Sequence, residues 1–209
     1  MKRFNPDTHN EPYIEEFELN VSPRGNVLES LLQISNDFDT TLAFRRGCRF
    51  KHCGLCAVSV NNRPRLACLT QFEDGMTVGP LPKLPVIRDL VIDRRFLLSL
   101  IEKHGLFIDW KQGNNFSQLK FGDAWTNLSK CRECLICQTS CKNWEFQQSE
   151  FAGPLLFVKL AFLYLDPRDT QDRKSQALSL GIERCRSCGK CSCPYGVPIF
   201  RDAITSLLS

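Results

Sequence analysis

Twelve cysteines, which fall into three groups of four, constrain this 209-residue chain more than any other feature. The groups are Cys48, Cys53, Cys56 and Cys68; Cys131, Cys134, Cys137 and Cys141; and Cys185, Cys188, Cys191 and Cys193. Their density lies below that of small secreted disulfide scaffolds. Thiols clustered in this way in a reducing compartment are more typical of metal ligands than of disulfides. Sets of four also match the ligand number of tetrahedral metal sites.

Charge and hydropathy exclude several other classes of protein. A net charge of +4, scattered along the chain, does not predict nucleic-acid binding. The most apolar run, Leu155–Leu165, has 11 residues including Lys159, whereas a membrane span needs about 20. The opening "MKRFNPDTHNEP" predicts neither a signal peptide nor a transit peptide. We therefore expect a soluble protein on the cytosolic side that can dock onto a membrane partner.

Two regions of different character predict two domains. The first 80 residues favour a strand at "YIEEFELNV", a turn at "SPRGN", a helix with apolar residues 27, 31 and 34, and a hairpin over "CAVSVNNRPRLACL" that turns at Asn61–Asn62. In that hairpin Val58 and Val60 alternate with polar residues. The proline-rich "GPLPKLPV" indicates a connector.

Helical patterns follow the connector. They cover "VIRDLVIDRRFLLSLIEKHG" up to Gly105, a helix that starts at Pro154 and ends near Asp166, and the amphipathic "IFRDAITSLLS". We expect an α/β domain over residues 1–90 and a helical domain over residues 91–209.

The first cysteine group has the spacing C-x4-C-x2-C-x11-C, which is the plant-type ferredoxin pattern for a [2Fe–2S] cluster. Three ligands would come from one tight loop, in which Gly54 lets the backbone approach the cluster. Arg45, Arg46, Arg49 and Lys51 add positive charge around this loop. The alternative is zinc, which prefers two C-x2–4-C pairs separated by a longer loop.

The second group, C-x2-C-x2-C-x3-C, has the bacterial-ferredoxin spacing for a [4Fe–4S] cluster, in which the fourth cysteine ligates the other cluster. The usual following proline is replaced by Lys142. By this crossing rule, Cys141 joins Cys185, Cys188 and Cys191. Cys193, which precedes Pro194, joins Cys131, Cys134 and Cys137.

These motifs and the stretches between them resemble the iron–sulfur subunit of the succinate dehydrogenase/fumarate reductase (respiratory complex II) family. The residues that carry the resemblance are "RRGCRFKHCGLCAVSVNNRPRLACL", "LPKLPVIRDLVIDRRF", "CRECLICQTSC", "FAGPLLFVKLAFLYLDPRDTQ" and "CRSCGKCSCPYGVPI". The resemblance implies an α+β fold: an N-terminal plant-type ferredoxin (β-grasp-like) domain, then an all-α bacterial-ferredoxin-like (alpha-helical ferredoxin) domain with two further clusters.

The resemblance also implies a role and partners. The family passes electrons one at a time through the three clusters, between an FAD-containing flavoprotein and a quinone-binding membrane anchor. The order would be flavin, the [2Fe–2S] cluster, the cluster of Cys131 and Cys193, and then the last cluster. This implies a peripheral location, through partner subunits, on the cytoplasmic side of the inner (cell) membrane.

The chain departs from the family at three places. Cys188 stands where most members, whose last cluster is [3Fe–4S], have a non-ligand, so the sequence favours a second [4Fe–4S] over [3Fe–4S], with an unused Cys188 as the alternative. Only Ser192 separates Cys191 from Cys193, where the family has three residues. Either the backbone is rearranged there, or the assignment of Cys188, Cys191 and Cys193 is permuted.

The third departure concerns the acceptor. Where the family contacts the quinone, this chain has Lys142, Trp144, Phe146 and Arg186. These residues are candidate quinone or acceptor contacts, although Trp144 and Phe146 are equally consistent with core aromatics. An alternative function is therefore a relay to a soluble thiol/disulfide or other non-quinone acceptor, such as a cysteine-rich protein. A structural zinc-binding interaction module is the third hypothesis.

Two histidines have simpler interpretations. His52 lies in the first cysteine loop, where all four thiols are present, so we expect a surface residue. His104 precedes Gly105 at a helix end, where a cationic group would be favourable, so we expect a helix cap. No catalytic triad or phosphate-binding loop is present in the sequence, and we expect no substrate-converting site on this chain.

Overall fold

The computed structural model of the protein describes residues 1–22, 24–48, 50–109, 119–147 and 150–209. These residues divide into two compact units. The first comprises Met1–Asp93 and Cys134–Thr139, and the second comprises Arg94–Glu133 and Ser140–Ser209. The fold is mixed α and β, as the sequence predicts. The two-domain division at residue 90 stays a prediction.

The first unit is built from short strands and one helix. Its elements are β1 (Lys2–Arg3), β2 (Tyr13–Ile14), α1 (Val27–Gln33), β3 (Ala57–Val60), β4 (Arg63–Leu66), β5 (Val78–Gly79), β6 (Val86–Arg88) and β7 (Val91–Ile92). Only two residues of the strand expected at "YIEEFELNV" pair, as β2 with β1. The expected turn at "SPRGN" includes Pro23, which lies outside the described residues.

The predicted hairpin is present as β3 and β4, which pair antiparallel. Asn61 and Asn62 both have positive φ, 48° and 61°, which the tight type of hairpin turn requires and Asn tolerates. The alternation of Val58 and Val60 with polar residues does not give an exposed face, because all four residues of β3 are buried. The reason is that β3 is the central strand, with β4 on one side and β5 on the other.

Helix α1 forms where the apolar spacing predicts it. Asn26 caps its N-terminus, and Glu29 completes a capping box with the Asn26 backbone. The helix buries Val27, Leu28 and Leu31, and it continues into a wider π-helical turn over Ile34–Phe38.

The helix expected over residues 86–105 is wrong in its first half. Residues 86–92 form an antiparallel pair, β6 and β7, and the helix α2 begins only at Phe96. Asp89 turns the chain with φ 45°. Its carboxylate accepts hydrogen bonds from the backbone N–H groups of Phe4 and Ala43 and from the Arg3 guanidinium. These long-range contacts override the local helical spacing.

The second unit is helical. Its elements are α2 (Phe96–His104), α3 (Asp123–Leu128), α5 (Pro154–Tyr164), α6 (Arg173–Ser179) and α7 (Thr205–Leu208). Helix α4 (Ile136–Ser140) crosses the boundary between the units, since Ile136–Thr139 belong to the first unit and Ser140 belongs to the second. Helix α5 has Pro154 in its first turn and ends at Tyr164, close to the predicted end. It is core, as expected, and packs against α3, α6, α7 and the π-helical turn Ile199–Ile204. Within the described ranges, no helix is long and apolar enough to cross a membrane.

Gly181 shows how closely the second unit packs. It has φ 78°, and a Cβ at this position would lie 2.3 Å from the backbone oxygen of Glu150. Only glycine meets both conditions.

Arg173 is a buried residue of the second unit. Its guanidinium bonds Asp169 and donates to the carbonyl oxygens of Gly105 and Phe107. One side chain thus fixes the end of α2 to the start of α6.

Arg3 has the same role in the first unit as Arg173 has in the second: it is a buried arginine that joins residues far apart in the sequence. It is 5% exposed and bonds Asp89 at 2.9 Å, Asp39 at 2.7 Å and Glu15 at 2.5 Å. Replacing Arg3 with Met leaves the Asp89 carboxylate buried without its cation. We expect a loss of about 3 kcal/mol in the free energy of unfolding, because an uncompensated buried charge is costly.

Chemical denaturation of the purified protein measures this loss. Arg201→Met is the matched control, since Arg201 also pairs with an aspartate but its side chain is 70% exposed. Equal small losses in both variants would contradict the assigned role of Arg3.

Candidate iron–sulfur sites

The first cysteine group lies on one loop and the end of a strand. Cys48 and Cys53 are on the loop, Cys56 precedes β3, and Cys68 follows β4. The pairing of β3 with β4 therefore returns Cys68 to the side of Cys56, where the Cys56 thiol acts on it through a hydrogen bond and through charge. Gly54 has φ 75° between these ligands, as its predicted role requires.

Backbone amides of the loop point at sulfur. The N–H groups of His52 and Cys53 donate to Cys48 Sγ at 3.2 and 3.1 Å, and the N–H of Cys48 donates to Cys53 Sγ at 3.4 Å. The bond from His52 is the largest cause that lowers the pKa of Cys48, to about 7. Amides that stabilise negative sulfur are what an iron–sulfur ligand loop needs.

Cys68 has the opposite environment. Burial, with the effects of Cys56, Cys48 and Cys53, raises its pKa to about 12. The other three thiols of the group therefore all act on Cys68. A cationic iron centre would relieve this repulsion, since metal binding takes up the thiolate form and releases protons.

Charges around this loop agree in part with expectation. Arg45, Arg46, Lys51 and His52 are exposed, which confirms the surface position expected for His52. Arg49 lies outside the described residues.

Gly47 is a site residue that the sequence reasoning missed. A Cβ at this position would lie 2.9 Å from Cys53 Sγ and 3.0 Å from Leu55 Cδ1. The backbone before Cys48 thus passes directly against a second ligand sulfur. The only available signal was a glycine immediately before the first cysteine of the group.

The second group has a strained loop. Glu133 and Leu135, which flank Cys134, have φ values of 52° and 68°. Left-handed conformations in residues other than glycine are costly and concentrate at ligand sites. Cys134 is buried, Cys131 and Cys137 are partly exposed, and burial is the main cause of a raised pKa at Cys131.

The third group gathers thiols from two places in the sequence. Burial, with the charges of Cys191, Cys141 and Cys188, raises the pKa of Cys185 to about 12. Burial, with the charges of Cys141 and Cys188, raises the pKa of Cys191 to about 11. Cys141 thus acts on Cys185 and Cys191, two of the three thiols that the crossing rule gives it. Cys188 is exposed.

Cys193 interacts differently from Cys191, although only one residue separates them. Its charge adds to the raised pKa of Cys131. Its Sγ also accepts a hydrogen bond from the backbone N–H of Tyr195 at 3.4 Å. These contacts are consistent with the two cysteines serving different clusters.

The candidate acceptor contacts do not form one polar site. Trp144 is 6% exposed and lies edge-on to Phe146, with 6.5 Å between ring centroids. Phe146 in turn lies edge-on to Phe96 at 5.6 Å. Lys142 is exposed, and Arg186 is an exposed partner of Glu183 at 3.4 Å. Trp144 thus has the burial of a core residue, whereas Phe146 is partly exposed.

The cap expected at His104 is wrong. Burial lowers the pKa of His104, and the nearby Lys103 lowers it further, which disfavours the cationic form. The helix end is instead held by Gly105 at φ 53° and by a bond from Gln176 Nε2 to the His104 carbonyl oxygen at 2.8 Å.

Across the described residues, no group of three or more His, Cys, Asp or Glu side chains is arranged to hold a single metal ion.

Comparison with known proteins shows which proteins this chain resembles. Residues 1–99 match the model of a 2Fe-2S iron-sulfur cluster binding domain. The chain is 32% identical over 98% of its length to a subunit of the fumarate reductase (CoM/CoB) of Methanothermobacter marburgensis. It is 28% identical to the mitochondrial succinate dehydrogenase [ubiquinone] iron-sulfur subunit of Candida glabrata, over 93% of this chain and 83% of that protein. Nearly the whole chain is thus similar to iron–sulfur subunits of succinate dehydrogenase and fumarate reductase.

The solved structures agree with this resemblance. A chain of the Mycobacterium smegmatis Sdh1 complex in the apo form matches with a TM-score of 0.78 and 28% identity, over 99% of this chain and 91% of that chain. The lengths of the relatives differ. An uncharacterized iron-sulfur protein of Methanocaldococcus jannaschii is 35% identical, and this chain spans 42% of its length and 42% of the length of the Methanothermobacter protein.

The close approach at Gly47 gives a test of the first site. In Gly47→Ala the new methyl group displaces Cys53 Sγ or Leu55, so we expect the [2Fe–2S] content to fall by at least half while the fold is kept. Visible absorbance and iron content per chain measure this. Gly122→Ala is the control, because a Cβ there meets nothing within 4 Å. Full cluster content in Gly47→Ala would contradict the steric argument.

Proposed function

We propose that this chain is the electron-relay subunit of a complex II-like oxidoreductase. It carries electrons one at a time through three iron–sulfur clusters between a flavoprotein subunit and a quinone-reactive membrane anchor. The observation that carries the proposal is the interaction of Cys141 with Cys185 and Cys191. Thiols from two sequence groups meet in the way that a two-cluster ferredoxin requires.

The proposed ligand sets follow from the spacing and are supported by these interactions. Cys48, Cys53, Cys56 and Cys68 hold [2Fe–2S]; Cys131, Cys134, Cys137 and Cys193 hold [4Fe–4S]; and Cys141, Cys185, Cys188 and Cys191 hold a third cluster, which we assign as [4Fe–4S]. The donor set is all thiolate, which fits iron–sulfur clusters. When bound, the clusters supply one-electron carriers along the chain.

The proposed domains are a plant-type ferredoxin domain over residues 1–90 and an alpha-helical ferredoxin domain over residues 91–209. The chain's own residues hold and tune the carriers. The amides at Cys48 stabilise ligand charge, and the buried positions of Cys134 and Cys185 limit access of water. We place no substrate conversion on this chain.

The partners and location are proposed from the relatives. A flavoprotein would supply the electrons or receive them, and the assembly would lie on the cytoplasmic side of the cell membrane, held there by the anchor. The relatives also support the alternative acceptor. The Candida glabrata protein is named for ubiquinone, whereas the Methanothermobacter protein is named for CoM/CoB, so a soluble non-quinone acceptor is the second candidate.

Anaerobic purification of the native complex tests the function. We expect about ten irons per chain, from one two-iron and two four-iron clusters, and three paramagnetic signals that appear in sequence on stepwise reduction. A copurifying membrane anchor with quinone supports the first acceptor, and a cysteine-rich soluble protein supports the second. A colourless chain that holds zinc and no iron would overturn both.

Cys188 tests the type of the third cluster. If it is the fourth ligand, Cys188→Ser loses about one iron per chain, and the oxidised protein gains the signal of a [3Fe–4S] centre. The neighbouring Ser187→Ala is the control and keeps the full iron content. An unchanged iron count in Cys188→Ser would contradict the assignment and favour an unused Cys188.

A further inference from the structure

Helix α5 carries one charge in an otherwise apolar sequence. Eight of its eleven residues are buried, and Lys159 is its only charged side chain. A lysine in the middle of a core helix loses hydration and side-chain entropy. At this position the ammonium group therefore needs an acidic partner, which the apolar residues of the helix do not provide.

That partner is in the second cysteine loop. The Lys159 ammonium forms an ion pair with the carboxylate of Glu133, the residue between Cys131 and Cys134 with the strained φ of 52°. A second cation holds the same residue by its backbone, since Arg94 donates to the Glu133 carbonyl oxygen at 2.6 Å. The backbone of the loop is thus anchored independently of the Glu133 side chain.

The surroundings of the pair strengthen its field. Lys159 and Glu133 line a recess of about 250 Å³ whose remaining walls are aliphatic: Leu97, Leu100, Ile101, Leu106, Leu155 and Leu156. Charges beside apolar walls interact more strongly than charges in water. Both side chains are also partly exposed, 31% for Lys159 and 40% for Glu133, so salt screens part of the effect.

The pair lies beside the proposed ligands. Glu133 stands between Cys131 and Cys134 in the sequence, and the ion pair holds the Lys159 ammonium against this loop. Both charges therefore act on a cluster that these cysteines hold.

We propose that Lys159 sets the reduction potential of the [4Fe–4S] cluster anchored by Cys131, with Glu133 as its opposing charge. This rests on the proposed function. Reduction adds one electron, supplied by the flavoprotein, and breaks no bond, so the cluster becomes more negative by one unit. A positive charge beside it stabilises that form and raises the potential. Lys159 is thus a tuning residue for the middle step of the relay.

The test is a redox titration of the purified holoprotein followed by low-temperature EPR. Lys159→Met leaves the Glu133 carboxylate alone, so the midpoint potential of this cluster falls. Glu133→Gln leaves the ammonium alone and keeps the Arg94 contact, so the midpoint rises. The double variant lies between the two, and Lys159→Arg keeps the wild-type value. The midpoints of the other two clusters shift less in every variant.

The control removes a lysine from another helix of the same unit. Lys174→Met deletes an ammonium that lies 5.0 Å from the centre of the Tyr164 ring, and we expect no change in midpoint. Raising the salt concentration reduces the shifts of the single variants.

Several results would overturn the inference. One is a midpoint that moves in the same direction in Lys159→Met and Glu133→Gln, as a purely structural role would produce. Unchanged midpoints, or equal shifts in all three clusters, would also overturn it while leaving the proposed function intact. Wild-type protein without iron would overturn both.

Discussion

Repulsion among gathered thiolates is the constraint on which this structure depends. Each cysteine group brings negative sulfur together where water is partly excluded, and burial with neighbouring charge raises the pKa of Cys68, Cys185 and Cys191 to about 11 or 12. At these three cysteines the folded chain therefore favours the protonated thiol until a cationic centre takes the proton's place. Iron–sulfur assembly and folding are linked in this way, because the metal binds the deprotonated form.

The remaining architecture serves to hold these groups. The hairpin of β3 and β4 returns Cys68 to Cys56, the bend at Asp89 is tied to Arg3, and the buried helix α5 supplies a rigid support whose one cation reaches the second cysteine loop. These contacts join residues far apart in the sequence. Loss of a structural residue such as Arg3 therefore lowers the stability of the whole unit rather than disturbing one ligand.

Much of this could be predicted from the sequence, for identifiable reasons. The hairpin turn and helix α1 rest on local chemistry: two asparagines that tolerate positive φ and a capping box at Asn26. The β6–β7 pair was missed because tertiary bonds to Asp89 outweigh a helical spacing. Gly47 was missed because its role is a steric contact with Cys53, and His104 was misjudged because burial, not position, decides its charge. The ligand sets and cluster types remain predictions from spacing.

Mössbauer spectroscopy of the iron-57-enriched chain, with zinc measured on the same sample, tests the central claim most directly. The account predicts iron in the ratio of about two to four to four, from one [2Fe–2S] and two [4Fe–4S] clusters, with negligible zinc. A sample with about three zinc ions per chain and no iron would contradict the account, because that is the content of three tetrahedral sites with four thiolates each.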